Sequence, residues 1–254
     1  MCFDRDSLPP IPVITGASVS HDALVLEARD GNRLAAFAAT PDDPGSTGIV
    51  ILPDIRGLYR FYEELALRFA ERGHAAIAID YFGRTAGASK RDDEFEYRPH
   101  VEQTTPAGVQ ADTAAGATWL REAGCGSIFT VGFCFGGRHS WLAAAGGHGL
   151  AGAVGFYGRP GRGADGSPGP IQRAGEMDAP ILGLMGGADA GIPVGQVRAF
   201  EQALADAGVE QEIVVYDGAP HSFFDRKQEE FADASADAWS RTLAFIEGHS
   251  SLPE

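Results

Sequence analysis

The chain has 254 residues, is 44% hydrophobic and carries a net charge of −15. Its length suits one α/β domain over 1–254, with a core at about 22–248. The acidic balance excludes a nucleic-acid binder, which needs a basic footprint, and gives no polybasic patch for an anionic membrane.

The first residues, "MCFDRDSLPP", lack the basic patch and apolar run of a signal peptide. Apolar runs such as Ile49–Leu52 are strand-length and cannot span a membrane. The cysteines are Cys2, Cys125 and Cys134, an odd and sparse set that builds no disulfide framework. No C-x-x-C or His/Cys cluster suggests zinc. A cytoplasmic protein with no metal and no cofactor is expected. The basic residues are arginines except for Lys90 and Lys227, and arginine can grip a carboxylate bidentately.

In chain order, "DALVLEARDGNRLAAFAAT" holds two apolar-rich runs around Asp30-Gly31-Asn32, a hairpin signal. "TGIVILPDIRG" is a continuous β-branched run, as in a strand buried on both faces. "FYEELALRFAERG" has helical spacing and "HAAIAIDYF" is the next buried strand. Residues 83–105 are polar and breaker-rich, a long loop with a short helix. Helix returns in "PAGVQADTAAGATWLREAG", where Pro106 suits the first turn. Then come strand "SIFTVGF", helix "GGRHSWLAAAGG", strand "LAGAVGFYG", a Gly/Pro loop and strand "PILGLMGG". Helix "PVGQVRAFEQALADAG", strand "EQEIVVYDG" and an amphipathic helix in "QEEFADASADAWSRTLAFIEG" finish the chain. The alternation predicts a mostly parallel central sheet with helices on both faces and an antiparallel N-terminal hairpin. Function in such a sheet sits at the carboxyl ends of the strands.

"GFCFG" is where a strand turns into a helix. G-x-Nu-x-G there makes a turn so tight that the nucleophile takes strained backbone angles. Gly132 and Gly136 are small enough to allow it, and Cys134 then stands at a helix N-terminus that favours a thiolate. A buried free cysteine is otherwise a small hydrophobe, so its partners decide. Asp189 in "MGGADAGIP" and His221 in "DGAPHSFFD" both follow strands, in the order nucleophile, acid, histidine. Among rival acids, Asp178 precedes its strand, Asp217 remains a fallback and Asp225 is a further candidate. Of the other histidines, His74 starts a strand, His139 lies in the helix after Cys134, and His21, His100, His148 and His249 fall in loops or at the terminus. The oxyanion donors are expected to be the amides of Phe135, after the nucleophile, and Ile55, in the loop after "GIVILP".

These residues resemble the dienelactone hydrolase (carboxymethylenebutenolidase) family of α/β-hydrolases, from about Ile49 to Ile246. The likeness is carried by "LPDIRGLYRFYEELALRFAERGHAAIAIDYFGR", "VGFCFGG", "GFYG", "MGGAD" and "HSFFDR". It implies an α/β-hydrolase fold and a triad of Cys134, Asp189 and His221. It implies that Arg84 binds a substrate carboxylate, that Arg226 follows the histidine as a second arginine, and that Tyr157 lines the pocket. The family has a glutamate where this chain has Asp54, and that glutamate engages the resting cysteine. Arg56 is an extra positive charge beside the oxyanion loop. The expected partner is a small ester or lactone bearing a carboxylate, acted on by a monomer or small homo-oligomer. The alternative is a non-catalytic α/β-hydrolase domain that binds a small molecule.

Two patterns are decoys. "GRGADG" fits G-x-G-x-x-G, but "SPGP" follows and cannot open the helix a dinucleotide site requires. The stretch Gly158–Pro170 is expected to border the pocket as a loop instead. "RDDEFE" lacks a calcium-loop pattern.

Overall fold

A computed structural model describes residues 7–42, 45–92, 94–225 and 227–250. Eight strands form one sheet in the order β1-β2-β4-β3-β5-β6-β7-β8. The strands are β1 (Val19–Glu27), β2 (Arg33–Pro41), β3 (Thr47–Leu52), β4 (Ala75–Ile79), β5 (Ser127–Phe133), β6 (Gly152–Phe156), β7 (Ile181–Gly186) and β8 (Gln211–Tyr216). β1 pairs antiparallel with β2, and β2 pairs antiparallel with β4. From β4 through β3, β5, β6 and β7 to β8 every pairing is parallel. This is the α/β-hydrolase fold.

The middle strands carry few polar residues because both faces are covered. Along β3, Ile49 and Ile51 face one core and Val50 and Leu52 the other, as the period of two requires. The first core also receives α1 (Arg60–Ala70) and α8 (Ala232–His249), through Phe61, Leu65, Phe69, Trp239 and Ile246. The second receives α4 (Pro106–Glu122), α5 (Phe135–Ala143) and α7 (Val194–Ala207), through Leu120, Trp141, Phe200 and Leu204. Thr105 caps α4, its hydroxyl accepting from the Gly108 amide at 3.1 Å, and Pro106 takes the first turn where its missing N–H costs nothing.

The predicted long loop contains α2 (Gly83–Ala86) and α3 (Arg98–Val101), each four residues long. A third four-residue helix, α6 (Pro170–Arg173), lies before β7. His21 sits in β1 rather than in a loop, His100 lies in α3, and His249 closes α8. Among the described residues no helix is long and apolar enough to cross a membrane.

The strand ends bring the chemistry together. Cys134 follows β5, Tyr157 follows β6, Asp189 lies just past β7, and His221 lies past β8. All sit at the carboxyl edge of the parallel strands, where helix starts and loops can converge.

Candidate active site

The turn after β5 is under strain. Cys134 has φ 55° and ψ −110°, values a residue with a side chain rarely takes. Among the described residues three non-glycines have positive φ: Cys134, Tyr157 and Ser222. Each follows the end of a strand in the same edge of the sheet. The Cys134 amide donates to the Phe156 carbonyl at 3.0 Å, and the Cys134 carbonyl accepts from the Arg138 amide at 3.2 Å. The side chain is half-buried and opens into a cavity of about 900 Å³. That is near the upper end for small-molecule sites.

Asp189 and His221 line the same cavity and meet each other. His221 Nδ1 lies 2.6 Å from Asp189 Oδ2. An ionised carboxylate can only accept, so in this contact Nδ1 is the donor. Asp189 is buried, and its Oδ1 accepts from the Gly191 amide at 2.8 Å. That second bond fixes the carboxylate that His221 meets. The rival acids are placed elsewhere. Asp217 is exposed, and buried Asp225 accepts from the Tyr157 hydroxyl at 2.7 Å. The Tyr157 ring centroid lies 4.9 Å from that of His221, so Tyr157 links Asp225 to the back of the imidazole.

Ile55 and Phe135 both line the cavity. Phe135 is the first residue of α5, whose opening amides have no acceptor within the helix. The Ile55 loop is held on three sides. Asp54 Oδ1 accepts from the Arg56 amide at 2.8 Å, and the Asp54 carbonyl accepts from the Gly57 amide at 3.1 Å. The Tyr62 hydroxyl accepts from the Asp54 amide at 2.9 Å. The Tyr81 hydroxyl donates to the Pro53 carbonyl at 2.8 Å. Burial, with the Asp54 and Asp80 carboxylates nearby, pushes the Tyr81 phenol well above its ordinary range, so it stays a donor.

The substrate-binding expectations change more. Asp54 and Arg56 are buried in the loop and do not line the cavity. Their carboxylate and guanidinium lie 3.6 Å apart, and Arg56 rests 5.4 Å from the Tyr59 ring centroid. Asp54 uses its Oδ1 in this turn. Arg226 lies outside the described residues. Tyr157 lines the cavity as expected.

Arg84 is not a cavity residue. Its Nη1 donates to both Asp112 oxygens, at 2.7 and 2.6 Å, and its Nη2 donates to Asp30 Oδ2 at 2.6 Å. Asn32 Nδ2 joins the same Asp112 at 2.9 Å. Two carboxylates thus occupy the guanidinium, which ties the β1–β2 turn to α4. An Arg84→Met change is expected to lower stability by about 2 kcal/mol, because it strands the buried Asp112. It is expected to leave the ratio of rates on anionic and neutral esters within about twofold. Urea unfolding and paired ester assays measure the two effects.

Reading along the sequence missed three arginines of the cavity, Arg138, Arg159 and Arg162, and the buried His139. The i+4 spacing of Arg138 from Cys134 was the available signal. The Gly/Pro stretch does border the cavity, through Arg159, Arg162, Gly163, Ala164, Asp165 and Ser167.

His139 packs its ring 4.4 Å from that of Phe135, and burial, helped by Arg138, pushes its pKa down to about 3. Burial also lowers His74 and His148. A histidine near 6.5 when unfolded and about 3 when folded binds its proton more readily in the unfolded chain. Stability therefore falls as pH drops below 6.5 and the loss continues down to about pH 3. His139 alone should cost about 2 kcal/mol between pH 7 and pH 5. Urea unfolding at both pH values checks this, and His139→Gln should remove that part of the loss.

The profile of the dienelactone hydrolase family matches residues 34–250. The chain belongs to the dienelactone hydrolase family. A carboxymethylenebutenolidase of Rhodococcus opacus is 30% identical over 260 aligned positions, which cover 97% of this chain and 96% of the relative. A candidate carboxymethylenebutenolidase of Yersinia pestis is 32% identical over 229, covering 86% and 85%. The crystal structure of a candidate dienelactone hydrolase from Klebsiella pneumoniae subsp. pneumoniae superposes with a TM-score of 0.79 at 30% identity, covering 91% of this chain and 99% of that one. Membership of the dienelactone hydrolases makes the chain a carboxylic ester hydrolase acting on small esters or lactones. That answers the alternative of a binding-only domain. Among the described residues no group of three or more His, Cys, Asp or Glu could hold a metal ion.

Proposed function

We propose that this dienelactone hydrolase cleaves its substrate with Cys134 as nucleophile, His221 as general base and acid, and Asp189 as the group that orients His221. The observation that carries the reading is the 2.6 Å contact from His221 Nδ1 to Asp189 Oδ2, in the cavity onto which the strained Cys134 opens.

His221 Nε2 takes the Cys134 proton, and the thiolate attacks the carbonyl carbon. The carbonyl π electrons move to oxygen, and the oxyanion is held by the Ile55 and Phe135 amides. As the tetrahedral species collapses, the bond from carbon to the ester oxygen breaks. The alkoxide takes the proton from His221 Nε2, leaving a thioacyl-enzyme. Water then gives a proton to Nε2 and attacks the thioester carbon, and the Cys134 sulfur leaves and regains its proton. A soft thiolate suits enol esters and lactones, whose leaving groups are good, and suits amides poorly.

Labelling with iodoacetamide, read by peptide mass spectrometry, tests the nucleophile. Cys134 should label with a pH-dependent rate, and a slowly turned-over ester should protect it. Labelling of Cys134 that is indifferent to pH and substrate would refute the assignment.

A further inference from the structure

The loop after β3 presents a run of backbone amides from Asp54 to Leu58. The Asp54 amide donates to the Tyr62 hydroxyl at 2.9 Å, and the Arg56 amide to Asp54 Oδ1 at 2.8 Å. The Gly57 amide donates to the Asp54 carbonyl at 3.1 Å, and the Leu58 amide to Asp80 Oδ1 at 3.1 Å. The Ile55 amide stands apart. Among the described residues it has no acceptor, and Ile55 lines the cavity. Backbone amides in folded proteins are nearly always paired. This loop satisfies the amides on either side of Ile55 and aims that one elsewhere.

Two tyrosines act on the peptide group just before it. The Tyr81 hydroxyl donates to the Pro53 carbonyl at 2.8 Å, and the Tyr62 hydroxyl accepts from the Asp54 amide. That carbonyl and that amide are the two ends of one peptide group. The group is planar and trans, so its ends point opposite ways. A hydroxyl therefore holds each end, and turning the plane would break both bonds. The next peptide group joins the Asp54 carbonyl to the Ile55 amide. Its carbonyl is held by the Gly57 amide, so the Ile55 N–H points the other way. The two planes share the Asp54 Cα, so the direction of the Ile55 N–H depends on the plane that the tyrosines hold.

Tyr81 reaches the second proposed donor as well. Its ring lies edge-on to that of Phe135, with centroids 5.2 Å apart. A Cβ at Gly136 would lie 2.3 Å from the Pro53 carbonyl oxygen, the atom that Tyr81 holds. Both tyrosines are buried, where a hydrogen bond meets less competition from water. Tyr62 is carried by α1 and Tyr81 lies just past β4, so a helix and the sheet fix the two hydroxyls. Neither tyrosine lines the cavity.

We propose that Tyr81 and Tyr62 are positioning residues for catalysis, which clamp the Pro53–Asp54 peptide group by its two ends and so aim the Ile55 amide at the oxyanion. This rests on the reading of Ile55 as an oxyanion donor.

The test pairs turnover of nitrophenyl acetate with alkylation by iodoacetamide. Tyr81→Phe keeps the ring and removes the hydroxyl. It should lower kcat by roughly 10- to 50-fold, less than the loss of a whole donor, with KM within about threefold of wild type. Tyr62→Phe should lower kcat by about 5- to 30-fold. Both hydroxyls hold one peptide group, so the double variant should be less than about threefold slower than the slower single variant. In alkylation the Cys134 sulfur displaces iodide from a saturated carbon and no oxyanion forms. Its rate should therefore stay within about twofold of wild type in every variant. Alkylation that falls in step with kcat would overturn the clamp, because the damage would then lie at the thiol and its base. So would a kcat within about twofold of wild type in both single variants. Should Tyr81→Phe fail to fold, Tyr62→Phe carries the same comparison. Ile55→Pro removes the donor N–H itself and separates the two readings. If it keeps kcat, Ile55 is not the donor. If it loses roughly 10²-fold or more while the tyrosine variants keep theirs, the clamp alone is wrong.

Discussion

Replacing Cys134 with alanine should lower kcat on nitrophenyl acetate by roughly 10⁴-fold or more. The thiol opens into the cavity from a backbone held at φ 55°, a conformation that costs energy and is maintained by the packing around it. Deleting Sγ removes the covalent route but leaves the Ile55 and Phe135 amides and the cavity itself. A residual rate above that in water is therefore expected, of the kind an oxyanion site and binding alone supply. Cys134→Ser should fall nearly as far, because an alcohol is a far weaker acid than a thiol and His221 must remove its proton against that gradient. His221→Ala should resemble Cys134→Ala, and the double variant should be little worse, since the two act as one unit. Steady-state rates on purified variants with unchanged circular dichroism decide the matter. A Cys134→Ala enzyme within tenfold of wild type would end the proposal.

How much of this was legible follows from where each signal lives. The strand–helix alternation from β3 onward could be read because buried parallel strands leave unbroken apolar runs, as in Ile49–Leu52. The placement of β2 against β4 could not, because it joins residues about forty apart through pairs such as Phe37 with Ala78, and no local pattern encodes them. That Cys134, Asp189 and His221 would meet at one cavity was legible because each follows its own strand, and the parallel sheet places strand ends together. The partners of Arg84 could not be read for a related reason. Arg84 too follows a strand end, but sequence position does not say which acids lie across the fold, and Asp30 and Asp112 claim it. The turn that Asp54 Oδ1 closes with the Arg56 amide two residues on is a use of aspartate that its place in the sequence does not distinguish from others. Arg138 carried a local signal, its helical spacing from Cys134. Its hydrogen bonds to the carbonyls of Arg159 and Gly161, more than twenty residues on, carried none.

Adding one methyl group at Gly136 should destabilise the fold by about 4 kcal/mol or more, or prevent folding. A Cβ there would lie 2.0 Å from the Leu52 carbonyl oxygen, 2.3 Å from that of Pro53 and 2.6 Å from the Leu52 carbonyl carbon. These are backbone atoms at the end of β3, which is paired on both sides by β4 and β5, so they cannot turn aside as a side chain would. Gly132→Ala meets the same turn from the other side, with the Gly136 carbonyl oxygen 2.1 Å away. Gly195→Ala, with nothing within 4 Å, is the matched control and should shift stability by less than about 0.5 kcal/mol. Urea unfolding of the three variants measures the difference. A Gly136→Ala protein within 1 kcal/mol of wild type would mean that the turn does not press on β3 as described. Where any Gly136→Ala protein folds, α5 must draw back from β3, and β3 leads directly into Ile55. The amides of Phe135 and Ile55 then separate, and kcat should fall by roughly 10²–10³-fold with the thiol intact. Because one contact sets both the closeness of α5 to β3 and the spacing of the proposed oxyanion donors, stability and rate should be lost together here. At Cys134 the rate should be lost with the fold unchanged.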